Sequence, residues 1–426
     1  MSTEYPIDQA LLTLCALSGQ SAAERPSSET LAAQEQRILQ GINAQLSGGT
    51  LATGTNWVAT WLGLTKDRAN LVYIAQGTAA IAVVLRGTVG GAPIDTLEDM
   101  NVSSQLPFAP ASSQNGKISA GAMQAFTETV SAPSATFGDT LLQRLELVLY
   151  NNPGATVFIT GHSLGGAIAT TLSMYLKTLS WMSSAPMKVY TFAAPTAGDA
   201  GFATAIGNAI PSGCYVGYWN YYDVVPHAWS NLDQVKTYFP PPGPKPGVLI
   251  PQIIKNLNDK VTGMDYTQPS NQTVLNSPPA SQMKDLGGTQ SDGVIACWAE
   301  EVGFQHNNNT YLALLGQLDG NTPPSVLNLA PQVTGLSPAS GPAGGRVTIT
   351  GKNFTPDAQA DFGVIAASTI YVSETQLTAI SPPGVGIVPV TVTNMFGTSA
   401  TKQPGVCYEK TAPPDPGPFC IYTYPT

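Results

Sequence analysis

The chain has 426 residues, which is long for one hydrophobic core and points to two domains. Hydrophobic residues make up 43% and charged residues only 11%, which excludes a disordered chain and describes a globular protein with a weakly charged surface. A formal net charge of -9 argues against electrostatic binding to nucleic acid or anionic membrane and favours a neutral, apolar partner or substrate.

The first stretch, "MSTEYPIDQALLTLCALSGQ", has a short apolar part. Glu4 and Asp8 stand where a signal peptide carries Lys or Arg, so it is not read as one. Nowhere is an apolar run long enough to span a bilayer. Residues 27 to 46, "SSETLAAQEQRILQGINAQL", combine helix formers with a Ser/Thr start and are predicted helical. "NLVYIAQ", "AAIAVVLRG", "ATVFITG", "MKVYTFAAP" and "CYVGYWNYYD" are five strand candidates. Several are apolar almost throughout, as strands buried on both faces of a mostly parallel sheet are. Helical stretches such as 164 to 178 alternate with them, which predicts a layered α/β fold.

The texture changes near 320. "DGNTPPSVLNLAPQV" reads as a linker over 321–330. From 331 to 410 short Val/Thr/Ile strands alternate with Gly/Pro turns and carry no helix signal, which predicts a small all-β sandwich. Residues 411–426 form a proline-rich tail. Five cysteines with no C-x-x-C do not suggest zinc. Cys15, Cys214 and Cys297 are read as small buried hydrophobes, and Cys407 and Cys420 as candidates for a bridge.

Gly161-His162-Ser163-Leu164-Gly165, followed by Gly166, sits between a predicted strand and a predicted helix. A sharp strand-to-helix turn forces strained backbone angles on the serine and tolerates only glycine-sized neighbours. It lifts Oγ above the sheet and brings free backbone N–H groups of the next helix beside it. That pattern is a nucleophile elbow. A serine nucleophile needs a base, and the base an orienting acid. The chain has three histidines. His162 adjoins the serine and diverges from it. His227 lies in "YYDVVPHAW" and His306 in "FQHNNNTYLALL". With this elbow the chain order is Ser, Asp/Glu, His. Asp223 follows a predicted strand, where sheets deliver catalytic residues. Ser163, Asp223 and His306 fit that order. His227 is the runner-up base and Asp199 the runner-up acid.

"VVLRGTVG", "ITGHSLGGAIA", "YTFAAPTAGDAGFA", "YYDVVPHAW" and "FQHNNNTY" occur in the order found in fungal-type (class 3) triacylglycerol lipases, which residues 50 to 315 resemble. The resemblance implies an α/β-hydrolase domain over 1–320 and hydrolysis of carboxylic esters, typically acylglycerols, without metal or organic cofactor. It implies Ser163 as nucleophile, Asp223 as acid, His306 as base, and Thr88 with the Leu164 N–H as oxyanion donors, with Gly161 and Gly165 framing the elbow. Arg86 is expected to be structural. Where the family has His-Gly, this chain has Ala120-Gly121, a departure outside the triad. The family covers its site with a lid, and residues 91–101, with Ile94, Leu97 and Met100, stand in that place. The stretch between Asp223 and His306 is longer than usual. Within it Ile250, Ile253, Ile254, Leu257 and Val261 recur at helical spacing, so 247–263 is expected to form part of a cap.

Residues 331 to 410 resemble an IPT/TIG domain, an immunoglobulin-like sandwich that occurs on bacterial surface and secreted proteins. That resemblance implies a spacer or a docking module and favours a secreted or cell-surface location. The expected partner is an acyl ester or lipid, at a lipid–water interface, and not nucleic acid. Phospholipase, feruloyl-type esterase and polyester depolymerase share the same elbow. A binding protein built on an inactive hydrolase is the alternative of another class.

Overall fold

A computed structural model describes residues 5–20, 29–87, 100–237, 239–241, 243–245, 249–276, 294–326, 330–355, 358–373, 375–394, 397–399 and 407–410. The chain falls into two compact units, Met1–Gly19 with Ile42–Val326, and Gln20–Gly41 with Leu327–Thr426.

The apolar N-terminal stretch folds as α1 (Ile7–Gln20), with Leu11, Leu12, Leu14 and Leu17 fully buried. The predicted helix over 27–46 is α2 (Leu31–Ser47), which starts at Thr30, whose Oγ1 accepts from the Ala33 N–H at 3.2 Å. There follow β1 (Val58–Leu64), β2 (Leu71–Gly77), β3 (Ala80–Leu85) and a two-stranded ribbon of β4 (Gln105–Pro107) and β5 (Lys117–Ser119). Next come α3 (Ala120–Ser131), α4 (Leu141–Asn151), β6 (Thr156–His162), α5 (Leu164–Leu176), β7 (Met187–Phe192), α6 (Ala200–Ala209) and β8 (Tyr215–Asn220). The unit's last elements are α7 (Leu249–Lys260), β9 (Gln272–Leu275), α8 (Val294–His306) and α9 (Asn308–Asp319).

The central sheet has the order β1-β2-β3-β6-β7-β8-β9. β1, β2 and β3 pair antiparallel, and every pairing from β3 to β9 is parallel. The five predicted strands are β2, β3, β6, β7 and β8; β1 and β9 add the edges. Both faces of the sheet are covered, which is why β6 is apolar almost throughout. Val157 and Ile159 pack in the main core with Ala167, Ile168 and Leu172 of α5 and Phe126 of α3. Thr160 points the other way and meets Cys15 of α1 at 3.4 Å. Burial pushes the Cys15 thiol up to about 12, so it behaves as a small hydrophobe, as expected. Cys214 is half-buried. The side chains of Cys297 and Cys407, and all of Cys420, lie outside the described residues.

The long stretch after Asp223 builds a second core. Ile250, Ile254 and Leu257 of α7 and the following Val261 pack with Tyr222, Val225, Trp229 and Trp298. The helical stripe expected at 247–263 is therefore real, and the structure uses it for packing.

In the second unit, β10 (Gln332–Ser337), β11 (Ser340–Gly341), β12 (Arg346–Lys352), β13 (Gln359–Phe362), β14 (Ile365–Ala366), β15 (Ser368–Ser373), β16 (Gln376–Ile380), β17 (Gly386–Asn394), β18 (Gly397–Thr398) and β19 (Cys407–Lys410) form two sheets. Their orders are β10-β12-β16-β15 and β11-β19-β17-β13-β14, with β18 on β17. Val347, Ile349, Ala360, Phe362, Leu377, Val390 and Val392 fill the sandwich core. In β12 the residues alternate, with Val347, Ile349 and Gly351 inward, as in a strand with one buried face.

Candidate active site

The elbow closes where β6 meets α5. Ser163 has φ 58° and ψ −133°, a positive-φ conformation that a residue with a side chain rarely adopts. It stands at the N-cap of α5, yet its side chain makes no capping hydrogen bond, so the hydroxyl is not held by the helix. The turn is fixed by the backbone: the Ser163 N–H donates to the Phe192 carbonyl at 2.9 Å, and the Gly166 N–H to the Ser163 carbonyl at 2.8 Å. The glycines are there for space. A Cβ on Gly161 would run into the Gly165 carbonyl, and one on Gly165 into the Leu85 carbonyl. Leu164 opens the helix, so its N–H belongs to the first turn, which has no acceptor within the helix.

β3 ends beside this turn. A Cβ on Gly87 would lie 2.8 Å from the His162 carbonyl oxygen and 3.1 Å from Ser163 Cβ. Arg86 is buried and donates through Nη2 to the carbonyls of Arg68 (2.8 Å) and Ala69 (3.1 Å), which anchors the end of β3. Thr88 and residues 91–99 of the expected lid lie outside the described residues.

Asp223 and His306 are 83 residues apart in sequence and meet at 2.7 Å, Asp223 Oδ2 to His306 Nδ1. Asp223 is fully buried, three residues beyond the end of β8. Its Oδ1 accepts from the Val225 N–H at 2.9 Å. Its Oδ2 also accepts from the Tyr311 hydroxyl at 2.8 Å. His306 is the last residue of α8, and Asn307 then caps α9 through the Asn309 N–H at 2.8 Å. The break between the two helices turns the imidazole toward the sheet. Its ring lies 4.7 Å from that of His162, the residue next to Ser163. The structure thus brings Asp223 and His306 together and places His306 against the elbow.

The runners-up have other positions. His227 is buried edge-on against Trp219, with ring centroids 5.2 Å apart. Burial lowers its pKa, against the opposing charge of Asp223. Asp199 caps α6: its Oδ1 accepts from the N–H groups of Phe202 (2.8 Å) and Lys117 (2.9 Å). His162 is held well below the ordinary imidazole range by burial and by the neighbouring His306.

Three further residues were not singled out from the sequence. Tyr311 lies five positions past His306 and reads there as one more buried residue of α9. Its hydroxyl accepts from the Asn220 N–H at 2.9 Å. The Asn220 Nδ2 in turn donates to the Gln305 carbonyl (2.9 Å) and Gln305 Oε1 (2.6 Å). No periodicity or motif marks these contacts. A cavity of about 300 Å³ adjoins the elbow and is lined by Leu164, Ala167, Met100, Val102, Pro195 and Trp229 among others.

Residues 82–232 match the family model for lipase (class 3), and residues 331–405 match that for the IPT/TIG domain. Among solved structures the chain is similar to M37 lipase, with 20% identity, 74% of this chain and 94% of that chain covered, and a TM-score of 0.60, a likeness of fold. It is also similar to the native propeptide complex of Rhizomucor miehei lipase (19% identity, 74% and 80% covered, TM-score 0.43) and to Lip2 lipase of Yarrowia lipolytica (17%, 63% and 78%, TM-score 0.40). The matches support a carboxylic ester hydrolase, with a class 3 lipase segment over residues 82–232 in an α/β-hydrolase fold and an IPT/TIG domain over 331–405.

Proposed function

We propose that this enzyme hydrolyses acylglycerols through a Ser163–His306–Asp223 triad and an acyl-enzyme. The observation that carries the reading is the buried 2.7 Å contact between Asp223 Oδ2 and His306 Nδ1 beside a strained, uncapped serine. Ser163 Oγ attacks the ester carbonyl, and His306 Nε2 takes its proton. Asp223 keeps the other proton on Nδ1 and stabilises the imidazolium. The imidazolium then protonates the leaving alcohol, and water repeats the sequence to release the acid. The Leu164 N–H, with Thr88, holds the oxyanion; a donor of this kind contributes on the order of 3 kcal/mol to the barrier. The cavity beside Leu164 takes the start of the acyl chain. The hydrolase domain is taken to end at residue 320, where Gly320 in the left-handed conformation stops α9. The division beyond it is a linker over 321–330, the sandwich over 331–410 and a tail over 411–426.

The test is hydrolysis of p-nitrophenyl esters from acetyl to palmitoyl and of emulsified triolein, with Ser163→Ala beside the wild type. Long-chain and triolein activity that vanishes in the variant is expected. Activity limited to short chains would remove acylglycerols as the substrate, and activity surviving in the variant would remove Ser163 as nucleophile.

A further inference from the structure

The Asp223 carboxylate is fully buried, and every hydrogen bond it accepts fixes both its rotation and its basicity. Oδ1 has the Val225 N–H; Oδ2 has two donors, His306 Nδ1 at 2.7 Å and the Tyr311 hydroxyl at 2.8 Å. The direction of the Tyr311 hydroxyl is settled by its other neighbour. The Asn220 N–H can only donate, and it points at the same oxygen from 2.9 Å. The phenol proton is therefore left to Asp223. Tyr311 is fully buried, so nothing in solvent competes for that proton.

We propose that Tyr311 is a positioning residue of the acid–base pair: its hydroxyl locks Asp223 Oδ2 toward His306 and moderates the carboxylate's pull on the imidazole proton. This rests on the reading of Asp223 and His306 as acid and base given above. Two donors on one carboxylate oxygen share its charge, so each bond tempers the other. With Tyr311 in place, Asp223 orients His306 without overstabilising the imidazolium, which must give its proton to the leaving alcohol. The phenol stays protonated, because burial first, and the Asp223 charge second, hold its pKa well above the ordinary tyrosine range. The other titratable groups facing this pair are His162, at the end of β6, and His227, on the loop after Asp223. Burial lowers the pKa of both, which favours their neutral form.

The experiment uses the full chain with Tyr311→Phe and, separately, 3-fluorotyrosine incorporated at 311, which keeps the shape and the acceptor but strengthens the donor. The readouts are the pH profile of p-nitrophenyl ester hydrolysis and the low-field proton resonance of His306 Nδ1–H. For Tyr311→Phe, kcat falls about 10- to 100-fold with KM unchanged, the loss of one hydrogen bond to a charged group. The acidic limb of kcat/KM moves to higher pH, and the resonance moves downfield as His306 becomes the sole donor to Oδ2. The fluorinated enzyme moves both in the opposite direction. A limb and a resonance that stay at their wild-type positions in the folded variants would overturn the proposal and leave Tyr311 a packing residue. Should Tyr311→Phe fail to fold, the fluorinated protein alone decides. The resonance does not depend on turnover, so a protein inactive on every ester would sink the hydrolase reading while the Tyr311 test still stands.

Discussion

Replacing Asp223 by Asn changes one atom in the candidate site, and its effect follows from the donors around it. The carboxylate accepts from Val225 N on Oδ1 and from His306 Nδ1 and Tyr311 Oη on Oδ2. An amide offers one acceptor and one NH₂ group. With NH₂ in the Oδ1 place, it faces the Val225 N–H, donor against donor, in a fully buried position. With NH₂ in the Oδ2 place, it faces both other donors, unless His306 changes tautomer and accepts through Nδ1. That tautomer carries its proton on Nε2 and cannot take one from Ser163. Either arrangement removes the base or leaves buried donors unpaired, at about 1–3 kcal/mol each. The tautomer effect is expected to lower kcat about 10⁴-fold, about 5.5 kcal/mol in the barrier. KM changes little, because Asp223 is buried away from substrate. The assay is steady-state hydrolysis of p-nitrophenyl butyrate at pH 8, with thermal unfolding as the control for folding. A folded Asp223→Asn enzyme within about tenfold of wild-type kcat would refute the argument.

Two stability predictions accompany it. Gly165→Ala puts a Cβ into the Leu85 carbonyl, backbone against backbone at the crossing of β3 and α5. It is expected to cost at least about 3 kcal/mol, or to give no soluble protein, whereas Gly303→Ala, with open space around it, leaves the melting temperature unchanged or raised. Equal melting temperatures for the two variants would contradict the packing argument. Burial lowers the pKa of His162 and His227 below the ordinary histidine value of about 6.5, so below that pH the unfolded chain binds protons that the folded chain refuses. Stability therefore falls as pH drops from about 6.5 toward the lowered folded values, by up to about 1.4 kcal/mol per pH unit for each histidine. Asp8 has a raised pKa, chiefly from burial, and acts with the opposite sign at lower pH, so the measurement is a difference. In urea unfolding between pH 7.5 and 5, His227→Gln is expected to lose less stability than the wild type; an identical slope would count against it.

Much of this architecture is legible in the sequence. Strands buried on both faces, such as β6 and β7, announce themselves as apolar runs, and the glycines around Ser163 mark a turn that other residues cannot fill. The elbow and the proposed partners Asp223 and His306 stand out because the chain has only three histidines and one serine in that setting. The edge elements leave a weaker mark in the sequence. β9 is four residues long and mostly exposed, so it lacks the apolar run that marks a buried strand. α1 is buried nearly all round, and its lack of a polar face hides the helical period.

What the sequence hides is the means by which Asp223 and His306 find each other. Asp223 sits just beyond β8, and His306 ends a helix 83 residues later. Between them lies the chain that builds the second core around α7. The join is made by Asn220, the last residue of β8, which is fully buried. Its side-chain amide holds the carbonyl and side chain of Gln305, next to His306, while its backbone N–H holds Tyr311, which touches Asp223. One residue thus fixes both partners to the end of the same strand. Such a join depends on polar atoms distant in sequence, and period and propensity carry no trace of it. The long insertion can be tolerated because the geometry of Asp223 and His306 is set by Asn220 at the strand end together with Gln305 and Tyr311.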